Sequence, residues 1–314
     1  MKKQQIKQFM ISLIISLVIY GALMFSMNNG IISSYWSRIM ITACINIVLA
    51  TSLNLASGYL GQLTLGHAGF MSVGAYVAAL ASIHFQTPFI ISLIIGAVVA
   101  AAIGLIIGMP TLRLKGDYLC IITLAFNEII RVIMLNLKIT NGARGLIGMP
   151  MSTDFTSAFI SVVVTIYVIY CIVKSRHGRA IISIKEDETA SELAGIPTFY
   201  YKIMAFVISA FFAGIAGGLY AHYNGVLVPS SFDYNRSVEI LVMVVLGGLG
   251  NLKGSVIAAI VMTFLPELLR SFSDYRMLLY AVVLIATMIM KEKNLMPRIK
   301  EKFSKKEVVE EVAE

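Results

Sequence analysis

The sequence predicts an all-α integral membrane protein: a polytopic helical bundle of about eight to ten spans, with broken or re-entrant segments. Three observations predict it. Hydrophobic residues make up 58% of the 314-residue chain and charged residues 13%, against roughly 25% charged in a soluble domain. Mean hydropathy is +0.84. The Lys and Arg behind the net charge of +8 sit in short blocks between apolar runs. That placement fits orientation in a lipid bilayer and not nucleic-acid binding.

Taken in order, apolar windows fall at 9–25, 38–56, 66–85, 88–108, 118–137, 157–173, 203–222, 238–250, 254–270 and 277–290. The first follows Met1, Lys2 and Lys3 as a signal peptide would, but no small-residue cleavage site follows, so it reads as a retained span. The run at 238–250 is short enough for a half-helix or re-entrant piece. Basic blocks lie at Lys2, Lys3 and Lys7; at Arg113 and Lys115; from Lys174 through Arg176, Arg179 and Lys185 to Lys202; and from Lys291 to Lys306. Four, two and four spans separate successive blocks, so all four reach one face, the cytosol. Lys138 and Arg144 depart from the pattern. The expected organisation is a permease domain over 1–290 with a cytosolic loop at about 174–202, then a charged cytosolic tail over 291–314. Both termini face inward from the cell membrane.

The segment Ser57–Tyr76 breaks the apolar grammar. It carries Gly58, Gly61, Gly66, Gly69 and Gly74 together with Gln62, Thr64 and His67. Non-helical backbone at membrane depth persists only when buried in protein or lining a wet cavity, and Gly-interrupted segments point to a transporter's path. Candidate path residues are Asn54, Gly61, Gln62, Thr64, Gly66 and His67. His67 is equally readable as a hydrogen-bonded brace between helices, and no ligand set for a metal surrounds it. A pattern G-x-L-G-[QN]-L occurs at Gly58–Leu63 and again at Gly247–Leu252, an internal echo of the kind transporter repeats leave.

The loop after residue 173 has its own punctuation. Ser183 and Glu186 have capping-box spacing, Asp187, Glu188 and Glu192 suit the first half of a helix, and Gly195 with Pro197 ends it. A short helix over about 184–194 is predicted, either a docking element or a connector. Within the 118–137 span, Glu128 and Arg131 are three apart and on one face. Pairing offsets the cost of charge in the bilayer, and the pair reads as a structural one facing the bundle interior. Cys44, Cys120 and Cys171 all lie in apolar runs without metal or disulfide spacing. No phosphate loop, G-x-S-x-G or H-E-x-x-H occurs. The chain therefore reads as a transport subunit and not an enzyme.

Asn54-Leu-Ala-Ser-Gly58 running into Gly61-Gln-Leu-Thr-Leu-Gly-His-Ala-Gly-Phe70 resembles the LivM type of branched-chain amino-acid ABC transporter permease. So do Arg113-Leu-Lys-Gly-Asp-Tyr118, Thr123-Leu-Ala-Phe-Asn-Glu-Ile-Ile-Arg131, Ala194-Gly-Ile196 and Ala205-Phe-Val-Ile-Ser-Ala-Phe-Phe-Ala-Gly214. The resemblance implies a permease that passes hydrophobic amino acids and pairs with a LivH-type second permease. Two cytosolic ABC ATPases would hydrolyse the ATP, so the chain needs no cofactor of its own, and an extracytoplasmic amino-acid-binding protein would deliver the solute. It also implies that the 174–202 loop is the ATPase-coupling element, with Ser183, Glu186, Asp187, Glu188, Ala190 and Gly195 at its heart. Thr189 and the position of Gly195 depart from the general coupling pattern E-A-A-x-x-x-G. Related permeases for urea, short amides or sugars are the first alternative, and a stand-alone proton-coupled carrier is the second.

Overall fold

The structure, a computed structural model, describes residues 20–27, 33–114 and 116–269 together with Val18, Ala281 and Ile285. The predicted span at 277–290, apart from two positions, and the predicted tail at 291–314 lie outside the described residues, as does much of the first predicted span. The chain divides into two units, 1–260 and 261–314, and of the second the described part is chiefly the end of one helix.

The helices, in chain order, are α1 (Ser34–Leu53), α2 (His67–Phe85), α3 (Phe89–Thr111), α4 (Asp117–Asn136) and α5 (Phe155–Lys174). They continue with α6 (Arg176–Glu186), α7 (Glu188–Leu193), α8 (Thr198–Asn224), α9 (Tyr234–Gly247) and α10 (Leu252–Leu268). Among the described residues, six are long and apolar enough to cross a membrane: α2, α3, α4, α5, α8, and α1 with its continuation to Tyr59. They answer the six predicted windows from 38–56 to 203–222. The protein is thus a multi-pass, all-α membrane protein.

Small residues let these helices approach. In lipid there is no hydrophobic drive between helices, and close backbone contact supplies the dispersion instead. On α3, Gly96, Ala100, Gly104 and Gly108 recur every fourth residue and share a face; on α8, Ala210, Gly214 and Gly218 do the same. A Cβ added to Gly104 would sit 2.7 Å from Ala210 Cβ, and one added to Gly214 would sit 2.7 Å from Ala100 Cβ. The other side of α8 meets α2, where Gly74 lies on the Gly214 backbone and Gly217 on the Met71 carbonyl. The span of α1 is 89% buried against 22% for α4, so α1, α2 and α8 form the core and α4 is peripheral.

One end of the bundle carries a two-residue antiparallel ladder between β1 (Leu146–Ile147) and β2 (Val226–Leu227). The Tyr76 hydroxyl donates to the Leu227 carbonyl at 3.4 Å, and Phe232 packs on Tyr76 and Tyr220. From there α9 enters the bundle. Asn127 Nδ2, midway along α4, donates to the Phe232 carbonyl at 3.4 Å. The Ser237 hydroxyl accepts the Ala68 N–H at 3.1 Å, at the start of α2. With 14 residues, α9 is about 21 Å long and falls short of a bilayer core of ~30 Å. It is the short helix expected from the 238–250 window, of half-helix length.

Candidate functional site

The opposite end gathers the turns that follow α1, α3 and α9 around the loop between α5 and α8. After Leu53 the backbone widens into a π turn, Asn54–Tyr59, a feature frequent at functional positions. Its local cause is close packing: a Cβ on Gly58 would overlap both the Asn54 amide and the Gly250 backbone. Asn54 is fully buried, and its Oδ1 accepts the Gly250 N–H at 2.9 Å. The chain then leaves the helix only over Leu60–Gly66. The glycine-rich segment Ser57–Tyr76 was read as interrupted, and the interruption is confined to these residues ahead of the span expected at 66–85. His67–Tyr76 are helical, and their glycines serve close approach. Gly66 lies on the Thr123 carbonyl, 2.8 Å from where its Cβ would be, and Gly69 packs on Asn127.

The two echoing motifs meet here. Gly61 and Gly250 hold the same place in the two patterns, and both adopt left-handed backbone, with φ of +79° and +82°. Such angles favour glycine because a Cβ would strike the carbonyl. Each follows the C-terminal end of a helical segment, the π turn in one case and α9 in the other. The shared pattern therefore encodes one turn used twice, and the two turns cross at Gly58 and Gly250.

His67 opens α2 and is buried, with Nε2 2.8 Å from Ser52 Oγ. The Ser52 hydroxyl donates to the Leu49 carbonyl at 2.9 Å, so Nε2 carries the hydrogen that joins them. Ser209 Oγ donates to the Ser52 carbonyl at 2.7 Å. His67 thus braces α1, α2 and α8 together. Thr64 is buried, and Thr123 Oγ1 accepts the Leu65 N–H at 3.0 Å. Several buried side-chain atoms have no hydrogen-bond partner: Asn54 Nδ2, Ser57 Oγ, Gln62 Oε1, Ser72 Oγ, Asn127 Oδ1 and Glu128 Oε1. Such atoms cost free energy in a dry interior and are the places where a polar solute can be received.

The single helix expected over 184–194 is two. The chain breaks at Asp187, which is extended (φ −155°) and whose carboxylate accepts the Ala190 N–H at 3.0 Å, capping α7. Ser175 caps α6. Ser183 caps nothing: it lies inside α6, and its hydroxyl donates to the Ala180 carbonyl. Asp accepts a helix-start N–H as well as Ser does, and Asp187 stands where the chain must turn. Gly195 (φ +83°) closes α7. Its N–H bonds the Glu192 carbonyl at 2.9 Å and the Ile196 N–H bonds Ser191 at 3.1 Å, the Schellman arrangement.

Glu188 turns inward. Its carboxylate lies 2.7 Å from Lys202 Nζ on α8, with side-chain exposures of 29% and 4% for the two. A charge reversal at Glu188 would therefore strike the bundle and not only the loop's outer surface. Glu186 and Ala190 are exposed, and Leu193 is 86% exposed at the tip of α7. A cleft of about 220 Å³ at this end is lined by Gln62, Leu114, Asp117, Lys185, Glu188 and Lys202, among others.

Glu128 and Arg131 form the expected pair, with Nε and Nη2 both 2.7 Å from Glu128 Oε2. At 28% and 31% exposure they flank the exposed stripe of Ile129, Val132 and Ile133, where a place facing the bundle interior was expected. A second polar tie escaped the sequence reading. Arg236 of α9 reaches Glu239 at 2.9 Å and Asn46 Oδ1 of α1 at 2.6 Å. Asp233 caps the same helix at the Arg236 N–H. The Asp-x-x-Arg-x-x-Glu spacing was the available signal.

A multi-pass helical bundle with a half-length helix, partnerless polar atoms inside, and a two-helix loop at one end defines a membrane transport protein. The chain belongs to the family described as the branched-chain amino acid transport system permease component, whose model matches residues 35–289. It is 35% identical to the high-affinity branched-chain amino acid transport system permease protein LivM of Escherichia coli K12, over 81% of this chain and 68% of that one. A probable branched-chain amino acid transport permease protein LivM of Methanocaldococcus jannaschii is 25% identical, over 69% of this chain and 76% of the relative. The ribose import permease protein RbsC of E. coli K12 is also 25% identical, over 82% and 83% of the two chains. No solved structure matches significantly.

Proposed function

We propose that this chain is one of two permease subunits of an ATP-driven importer of branched-chain amino acids in the cell membrane. A second, related permease completes the path, two cytosolic ABC ATPases hydrolyse the ATP, and an extracytoplasmic binding protein supplies the solute. The chain itself has no phosphate loop and needs no cofactor. Its basic blocks support a cytosolic position for both termini and for the 174–202 loop. The path polar groups are Asn54, Gln62, Thr64 and His67, with Gly61 and Gly66 admitting close backbone. A zwitterion asks for hydrogen bonds and dipoles more than for fixed charge, and the partnerless Asn54 Nδ2 and Gln62 Oε1 support that reading.

The observation that carries the proposal is the α6–α7 loop in a chain of this family. Its inner side is tied to α8 through Glu188 and Lys202, while Leu193 stands 86% exposed at its tip. A connector has no use for such an apolar tip; a docking element does, because exposed large side chains become anchors when a partner desolvates them. Replacing Leu193 by aspartate is expected to leave insertion and folding intact and to abolish co-purification of the ATPases. ATP-driven leucine uptake in vesicles is expected to fall at least about tenfold, the scale of losing one anchor. Wild-type association of Leu193→Asp with the ATPases would make the loop a connector. Ribose uptake without leucine uptake would favour the sugar reading that the ribose permease relative supports.

A further inference from the structure

Lys185 has a position that neither the family nor the coupling loop accounts for. It lies in the last turn of α6, the loop helix, and its side chain runs across both echoing turns. A Cβ on Gly61 would sit 2.8 Å from Lys185 Cγ, and one on Gly250 would sit 3.7 Å from Lys185 Nζ and 3.3 Å from the Gly58 carbonyl oxygen. The stem packs on the first turn and the ammonium ends beside the second. Three helical segments end within a few residues of these contacts: α6 at Glu186, the π turn at Tyr59 and α9 at Gly247. Helix C-termini leave carbonyl groups unpaired and carry partial negative charge, so a cation where three ends converge is favourably placed. Among the described residues, the salt bridges engage Glu128, Glu188 and Glu239, and none is with Lys185. The rest of the side chain is exposed.

We propose that Lys185 is the positioning residue through which the α6–α7 loop acts on the two crossing turns at once. The inference rests on the proposed function and adds the route by which movement of the loop reaches the inside of the bundle. One of the turns leads directly into α2 at His67, and the other joins the short α9 to α10. Displacing α6 carries the Lys185 side chain away from both turns together. They are hinged on glycines with left-handed backbone and already in mutual contact at Gly58 and Gly250. The loop's motion is thereby delivered to α2 and α9, the two helices that meet at Ala68 and Ser237.

The test uses the complete transporter in proteoliposomes with its binding protein, and compares Lys185→Met, which keeps the stem, with Lys185→Arg, which keeps the charge. The Met variant is expected to retain ATPase association and basal hydrolysis, while leucine taken up per ATP hydrolysed falls about tenfold, within the usual range of coupling between sites. The Arg variant is expected to restore the ratio to within about threefold. A wild-type ratio for Lys185→Met would overturn the proposal. So would loss of folding or of ATPase binding in both variants, which would make Lys185 a packing or docking residue. Failure of the wild-type complex to couple ATP hydrolysis to amino-acid uptake would instead defeat the proposed function, before any variant is compared.

Discussion

Replacing Gly217 by leucine is expected to leave almost no folded chain in the membrane. Gly217 sits where α8 crosses α2, and even a single added carbon would overlap the Met71 carbonyl and sit 2.8 Å from the Ala75 N–H nitrogen. Those are backbone atoms of a helix, so no rotamer change can make room. Overpacking a core costs about 1–3 kcal/mol when side chains can shift; here α2 itself must move. It is also held against α8 by Gly74 on Gly214, and against α3 by Gly96, where an added Cβ would sit 2.6 Å from the Gly74 carbonyl oxygen. Moving α2 also breaks the His67–Ser52 bond and the Ser237 contact that satisfies the Ala68 N–H. The expected result is at least about a tenfold fall in monodisperse protein extracted from membranes, since about 1.4 kcal/mol already accounts for tenfold. Ala102→Leu on the exposed side of α3 is the control and should behave as wild type. Equal yields for the two variants would show that this crossing does not hold the bundle.

Glu188→Gln is expected to harm the protein more than Glu188→Gln combined with Lys202→Met. Lys202 has a side chain only 4% exposed, and Glu188 is its ion-pair partner, 2.7 Å away. Neutralising Glu188 alone strands an ammonium inside the bundle. Breaking such a pair from one side costs about 3 kcal/mol, the low end because Glu188 itself is partly exposed. Removing both charges avoids the stranded cation, and the double variant is expected to lose only about 1 kcal/mol. The measurement is thermal unfolding of the purified permease, with protease sensitivity of the 176–195 loop as a local readout. Loop cleavage should accelerate in the Glu188→Gln variant and recover partly in the double. Simple additivity of the two single losses would mean that the pair contributes no coupling, and that the loop is held to α8 by other contacts.

The family was legible because its motifs are contiguous. The strings around Gly61–Phe70, Thr123–Arg131 and Ala205–Gly214 need no tertiary knowledge to be recognised, and the family match over residues 35–289 agrees with them. The spans were legible for a related reason. Hydropathy sums over about 20 neighbours, so errors at single positions cancel, and α9 stood out simply as a short window. The Glu128–Arg131 pair could be predicted because its partners are one helical turn apart. Its place beside the exposed stripe of α4 could not, since the direction of a helix face depends on which neighbours cover it.

The loop shows how local rules compete. Ser183 and Asp187 both offer cap chemistry, and sequence spacing favoured Ser183. Asp187 won because α6 begins earlier, at the Ser175 cap, and carries Ser183 in its interior. Glu188 lay within a plausible outward cluster of acids, yet its partner is Lys202 on another helix. No nearby residue signals that.

By itself, then, the sequence determined what depends on neighbours along the chain: an all-α membrane bundle, the places of its spans, the helix ends at glycine, and membership of a permease family. Only the tertiary structure decided which glycines lie at crossings, where Lys202 finds its counter-charge, and that Gly58–Leu63 and Gly247–Leu252 touch beneath Lys185. Those facts rest on dispersion, hydrogen bonds and ion pairs that act over a few ångströms between residues far apart in the chain. Such forces register only once the helices have packed.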